Sequence, residues 1–198
     1  NLILDGTGTP TNGGVFSLKN NLTINTAGTI TFASGDTFYY DTGTLTYTAG
    51  TVVTTGNTLS CSVATTFACN GITWNNVGFG ASTITLNENL NLNGLLTLAS
   101  SINSVTINGN TINAGGGVRH GGSYGTVSGT TVINVNGTGT LDGPSTTSGR
   151  IDNPITINAP GGTVTIATAG DTPFIGLLNK LNYVAGTIVT DRGTWSTP

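Results

Sequence analysis

Leu45-Thr46-Tyr47-Thr48-Ala49-Gly50-Thr51-Val52-Val53-Thr54 returns, 136 residues later, as Leu181-Asn182-Tyr183-Val184-Ala185-Gly186-Thr187-Ile188-Val189-Thr190. Both versions alternate apolar with polar side chains and carry Ala-Gly in the middle, the pattern of two half-buried strand segments joined at a turn. Reading outward, other blocks recur in the same order. Gly35-Asp36-Thr37 matches Gly170-Asp171-Thr172 at a shift of 135, and Thr29-Ile30-Thr31 matches Thr163-Val164-Thr165 at 134. Leu22-Thr23-Ile24-Asn25 matches Ile155-Thr156-Ile157-Asn158 at 133, and Leu4-Asp5-Gly6-Thr7-Gly8-Thr9 matches Val135-Asn136-Gly137-Thr138-Gly139-Thr140 at 131. Five blocks held in order while the shift creeps upward are the mark of duplication with small insertions in turns. The chain therefore divides into a first β-repeat unit, 1–132, and an incomplete second copy, 133–198, continuous with it. Because the second copy stops at Thr197-Pro198, the natural protein is expected to be longer.

The rest of the sequence has the same texture. Thr44-Leu45-Thr46-Tyr47, Thr83-Ile84-Thr85-Leu86, Ser104-Val105-Thr106-Ile107 and Thr131-Val132-Ile133-Asn134 are further period-2 segments, separated by Ala-Gly, Asn-Gly, Ser-Gly and Gly-Gly pairs. No window sustains the i, i+3, i+4, i+7 spacing of an amphipathic helix. Of the 198 residues 31 are Gly and only 7% are charged, against about 25% in an ordinary soluble domain. Disorder is disfavoured, because 36% of residues are hydrophobic and evenly spaced.

Strands 5–15 residues apart leave no room for intervening helices. An all-β parallel β-helix (β-solenoid) answers the pattern best: stacked coils share one apolar column, and small polar residues suffice outside. A rung burying a few side chains such as Ile30, Phe32, Leu45 and Tyr47 gains about 1.5–3 kcal/mol for each and cannot offset its ordering entropy without neighbours. The alternatives are a trimeric β-fibre shaft and tandem β-sandwiches. One stretch breaks the pattern. Ala114-Gly115-Gly116-Gly117-Val118-Arg119-His120-Gly121-Gly122-Ser123-Tyr124-Gly125 has six glycines in twelve residues and reads as a loop leaving the stack.

The blocks Asn70-Gly71-Ile72-Thr73-Trp74-Asn75-Asn76-Val77, Thr83-Ile84-Thr85-Leu86 and Leu45–Thr54 resemble repeat units of phage tail-fibre proteins and large bacterial surface adhesins. The resemblance implies an extended fibre with a host-contact role, found outside the cell, on the cell surface or on a virion. It brings no catalytic residues.

The residues themselves point the same way. A net charge of −3 with scattered bases gives no stripe for phosphates, so nucleic acid is not an expected partner. No apolar run approaches the ~20 residues of a membrane span, and no membrane insertion is expected. Cys61 and Cys69 are too far apart for a CxxC motif. They read as a local disulfide across a turn or as two free buried thiols, and the disulfide is the expectation carried forward. Arg119, His120 and Tyr124 form a candidate glycan contact, Arg offering a planar bidentate donor. Asn21-Leu22-Thr23 and Asn136-Gly137-Thr138 are glycosylation sequons. The acids Asp5, Asp36, Asp41, Glu88, Asp142, Asp152, Asp171 and Asp191 show no paired spacing for glycoside hydrolysis, and no calcium-binding nonapeptide occurs. Neither a catalytic residue, nor a metal, nor a cofactor is expected, and the partners foreseen are further copies of the chain in a fibre or trimer and surface glycans. A β-helical polysaccharide-degrading enzyme and an ice-binding Thr-x-Thr ladder are the alternatives that the same strands allow. Phe38, Tyr39, Tyr40, Trp74 and Trp195 read as core or turn residues before sugar platforms.

Overall fold

A computed structural model describes residues 2–6, 15–80, 82–98, 104–122, 124–143, 149–167 and 181–190. The strands follow one another coil by coil. The first coil holds β1 (Leu2–Leu4) and β2 (Val15–Lys19), the second β3 (Leu22–Thr31) and β4 (Thr37–Asp41), and the third β5 (Gly43–Val53) and β6 (Thr58–Cys61). The fourth holds β7 (Thr65–Ala68), β8 (Thr73–Trp74) and β9 (Asn76–Phe79); the fifth β10 (Ser82–Leu86), β11 (Leu90–Leu92) and β12 (Leu96–Leu98). The sixth holds β13 (Val105–Gly109), β14 (Ile112–Ala114) and β15 (Gly117–His120); the seventh β16 (Gly125–Ser128), β17 (Ile133–Val135) and β18 (Gly139–Asp142). The eighth holds β19 (Gly149–Ile151) and the long β20 (Ile155–Ala167), after which β21 (Leu181–Thr190) begins the next. Among the described residues there is no helix.

Every described strand pair is parallel and joins a coil to its neighbour, giving a β-solenoid of about seven turns from β1 to β19. Tandem sandwiches would need antiparallel pairs, and a trimeric shaft would share its core among three chains, whereas here one chain fills its own. Three faces result. Face 1 is the ladder β1-β3-β5-β7-β10-β13-β16-β19. Face 2 is β8-β11-β14-β17 with the first half of β20, and face 3 runs from β2 to β18 and on to the second half of β20. Coils differ in length because their corners do: Phe67 lies beside Leu86, 19 residues on, and Val127 beside Ile151, 24 residues on. Each coil advances about 4.8 Å along the axis, the spacing of hydrogen-bonded strands.

Side chains alternate in and out along every strand, and the register lines the inward ones into columns. On face 3, Phe38, Leu59, Val77, Leu96, Val118, Leu141 and Ile166 follow one another in register, all buried. On face 2 the column is Leu90, Ile112, Ile133 and Ile155. The ladder passes residues 132 and 133 without interruption.

The recurrence seen in the sequence is a recurrence of local conformation. Tyr47 Oη donates to the Gly50 carbonyl at 2.6 Å, and Tyr183 Oη donates to that of Gly186 at the same distance. The two glycines share a left-handed backbone, φ +112° and +111°, that favours glycine. The β3–β5 and β20–β21 pairs also slip register at matching places, after Ile24 and after Ile157. Yet β3 stacks in face 1, where its counterpart six coils on is β19, while β20 stacks on β17 and β18. The same phrase of sequence thus turns a different corner of the solenoid in each copy.

The glycine-rich stretch is not a loop that leaves the stack. Residues 112–114 and 117–120 are β14 and β15, both in register with the coils on either side. Its glycines are there because backbones meet at the corner between faces 2 and 3. A Cβ on Gly116 would come within 2.6 Å of the Gly94 backbone, and one on Gly117 within 2.1 Å of the Thr140 carbonyl oxygen. Gly94, Gly116 and Gly139 form a side-chain-free seam down that corner.

Candidate functional site

The three outward faces differ in chemistry, and the sequence-predicted residues fall on them as follows. Face 3 carries Ser17, Tyr39, Ser60, Gly78, Thr97, Arg119 and Asp142 in one register column. Arg119 has a side chain 54% exposed and pairs through Nε with Asp142 at 3.3 Å. The Asp142 side chain is 14% exposed, so the pair is open to solvent on the arginine side, and the guanidinium stays accessible.

His120 is not part of an exposed contact. It is 4% exposed and points inward beside Leu98, with Nε2 3.1 Å from the Gly125 carbonyl and Nδ1 2.9 Å from that of Gly122. Both ring nitrogens are spent on the turn that follows β15, which places the imidazole in the core as a fastener. The strand alternation explains this: Val118 and His120 face in, Arg119 faces out. Tyr124, by contrast, is 50% exposed on that turn. Of the predicted trio the structure keeps Arg119 and Tyr124 on the surface and withdraws His120.

The expected disulfide is also corrected. Cys61 and Cys69 are both free and buried. Cys61 ends β6 on face 3, in register with Phe79, whereas Cys69 follows β7 in the next coil. The seven intervening residues round a corner and run along a strand, where a disulfide across a turn would need them to double back. Burial pushes both thiols up, Cys69 to about 12, and the Asp41 charge adds to the effect on Cys61. Thiols so disfavoured as thiolates are poor nucleophiles and poor metal ligands.

Face 2 is an amide ladder. Asn113 Nδ2 donates to Asn91 Oδ1 at 2.8 Å, Asn134 Nδ2 to Asn113 Oδ1 at 3.1 Å, and Asn91 Nδ2 to Asn70 Oδ1 at 3.0 Å. Its hydrogen-bonding capacity is largely turned on itself. Face 1 is an array of hydroxyls, with Thr44, Thr66, Thr85 and Asn108 in one column, Thr83, Thr106 and Ser128 in a second, and Thr23 and Thr46 in a third.

Asn21 and Asn136 of the two sequons are both exposed, and Asn21 Oδ1 accepts from the Thr44 amide at 3.0 Å. Of the aromatics, Phe38, Tyr40 and Trp74 are core and Tyr39 is half out on face 3, while Trp195 lies outside the described residues. Asp171 and Asp191 also lie outside them. Asp41 Oδ1 accepts from the Ser62 amide and hydroxyl at 3.2 and 3.0 Å, and Glu88 Oε2 from the Asn70 amide at 2.9 Å, so these carboxylates tie corners of successive coils together. Among the described residues no three His, Cys, Asp or Glu side chains gather as a metal site. The face chemistry was missed in the sequence because it depends on register between coils. The signal was present in the apolar-Asn-apolar triplets Leu90-Asn91-Leu92, Ile112-Asn113-Ala114 and Ile133-Asn134-Val135, spaced by one coil.

In comparisons with known proteins, no family model matches the chain, and no curated protein and no solved structure matches it.

Proposed function

We propose that the chain is a stiff structural segment of an extracellular fibre, filament or adhesin, carried on a cell surface or a virion, that works by length and rigidity. The observation supporting this is the unbroken inward column from Phe38 to Ile166, in which each coil covers the apolar residues of the next. Such a column has no intrinsic end and lets a chain grow as a rod. Low charge suits a role in which coils present short polar side chains, and the ladders of amide and hydroxyl groups add stiffness across coils. Carboxylates that fasten corners and thiols sealed in the core support a non-enzymatic reading. Arg119 and Tyr124, exposed close to the same corner, are the proposed contacts for an acidic surface glycan, and copies of the chain are the proposed partners in a fibre.

The test is immunogold electron microscopy of the source cells or particles with an antibody to this chain. Labelling of thin surface filaments is the expected result. Label confined to the cell interior overturns the proposal.

A further inference from the structure

The hydroxyls of face 1 are unlike the polar groups of the other two faces. Thr23, Thr44, Thr46, Thr66, Thr83 and Thr85 lie on four successive strands, β3, β5, β7 and β10, and among the described residues their hydroxyls find no hydrogen-bond partner. On face 2 the amides bond one another, and on face 3 the column carries a tyrosine, an arginine and a carboxylate. The strands of the band carry no charged residue; charges flank it at Asp5, just past β1 in the preceding coil, and at Arg150 and Asp152, two coils beyond Thr106 and paired with each other at 3.0 Å.

Register sets the spacing of these threonines, which stand two to a strand on β5 and β10 and singly on β3 and β7, the column of Thr23 and Thr46 passing to Ala68. Neighbours in a column, such as Thr44, Thr66 and Thr85, are about 4.8 Å apart, and neighbours along a strand, such as Thr44 and Thr46 or Thr83 and Thr85, about 6.6 Å apart. Threonine is β-branched and stiff at χ1, so each hydroxyl and methyl sits at a set position before anything binds. A repeating array of rigid hydroxyls with free hydrogen-bonding capacity, interleaved with methyls that restrict the orientation of first-shell water, holds water in a fixed two-dimensional pattern. A sugar would ask for something else: an aromatic platform or bidentate polar groups, which lie on face 3 and not in this band.

We propose that the threonine band of face 1 is an ice-binding surface, which orders water into an ice-like layer and freezes the chain onto a crystal plane. This function is independent of the shaft reading, since a rod of any role can carry it.

The experiment is nanolitre osmometry of the purified chain, with ice-crystal habit recorded, beside Thr66→Tyr and Thr85→Tyr in the middle of the band and Thr156→Tyr on face 2. Far-UV circular dichroism confirms each fold. Thermal hysteresis and faceted crystals from the wild type and Thr156→Tyr, lost in Thr66→Tyr or Thr85→Tyr, are expected. Absence of hysteresis in the folded wild type overturns the proposal. So does equal loss in Thr156→Tyr, or a glycan-array signal that the two band variants abolish while the wild type leaves ice growth unaltered.

Discussion

The front and rear of this solenoid fill the same triangular core with different materials. In residues 32–79 six rings pack in a chain of contacts: Phe32 on Phe38 at 5.3 Å, Phe32 on Trp74 at 5.7 Å, Phe38 beside Tyr40 at 5.9 Å, Tyr40 beside Phe67 at 6.5 Å and Phe67 beside Phe79 at 5.9 Å. From residue 84 onward the buried apolar residues among those described are Leu, Ile, Val and Ala. The aromatic front also holds three titratable core groups, Tyr40, Cys61 and Cys69, with Tyr40 Oη donating to the Asn20 carbonyl at 2.8 Å, while the rear holds His120. Tight glycines occur in both halves, Gly43 and Gly50 in front and Gly116, Gly117 and Gly139 behind, while most of the asparagine ladder lies in the aliphatic rear. The backbone ladder is common to both, which teaches that the parallel register sets the fold and that core volume is matched coil by coil to whichever corner the chain has to turn.

Truncating one side chain in each half is the strongest way to break the comparison. Phe67→Ala, removing a ring that touches two others, is expected to cost about 3–5 kcal/mol, and Leu96→Ala on the rear column about 2–5 kcal/mol. Urea titrations at neutral pH measure both. If the halves unfold together, both variants shift one transition; two separated transitions would mean that the core types are independent units.

Gly117, next to Gly116 at the glycine seam, gives the next effect. Gly117→Ala places a methyl against the Thr140 carbonyl in a left-handed backbone and is expected to cost at least about 2 kcal/mol. Gly161→Ala, also left-handed at φ +75° but with open space around it, should cost nearer about 1 kcal/mol. Equal costs would remove close backbone approach as the reason for the seam.

Alkali should find the front first. Burial raises Tyr40 and Cys69 each to about 12 and raises Cys61 as well, so all three keep their protons in the fold where an unfolded chain has lost them. Their stabilising contribution is full below about pH 9, where unfolded thiols begin to ionise, and is lost as pH rises towards 12. Each such group lowers stability by about 1.4 kcal/mol per pH unit inside its window. Hydrogen exchange between pH 8 and 10.5 should show protection falling in residues 32–79 ahead of the rear, and neither thiol should react with a thiol reagent at pH 8 until the chain unfolds.

Smallest is the asparagine ladder. Asn113→Ala breaks a bond on each side and is expected to cost about 1 kcal/mol, the amides it leaves being reachable by water. A larger cost would show that the ladder acts as one cooperative unit.

Alternation and turn pairs made the strands legible, and the short spacing between them made a solenoid the natural answer. Leu22–Asn25, Thr83–Leu86 and Ile155–Asn158 all fall within strands. What the chain's local texture did not reveal was register around the axis. His120 next to exposed Arg119 looked like half of a surface pair, but period-2 alternation sends the two to opposite sides of β15. The glycines at 115–117 looked like a loop because glycine frees the backbone, whereas here it is needed for the absence of a side chain where coils touch. Seven residues separating Cys61 from Cys69 suggested a turn, a reading suited to hairpins and foreign to a ladder in which every described pair is parallel.

Register is open to direct measurement by double electron–electron resonance on spin labels placed along the face 3 column, the buried native thiols remaining unlabelled. Ser17, Tyr39, Ser60, Gly78, Thr97 and Arg119 occupy successive coils, so Ser17→Cys with Thr97→Cys spans four steps, about 19 Å between backbones, and Ser17→Cys with Arg119→Cys spans five, about 24 Å. The solenoid predicts narrow distributions that lengthen by one strand spacing per coil; distances that fail to grow with coil number would contradict it.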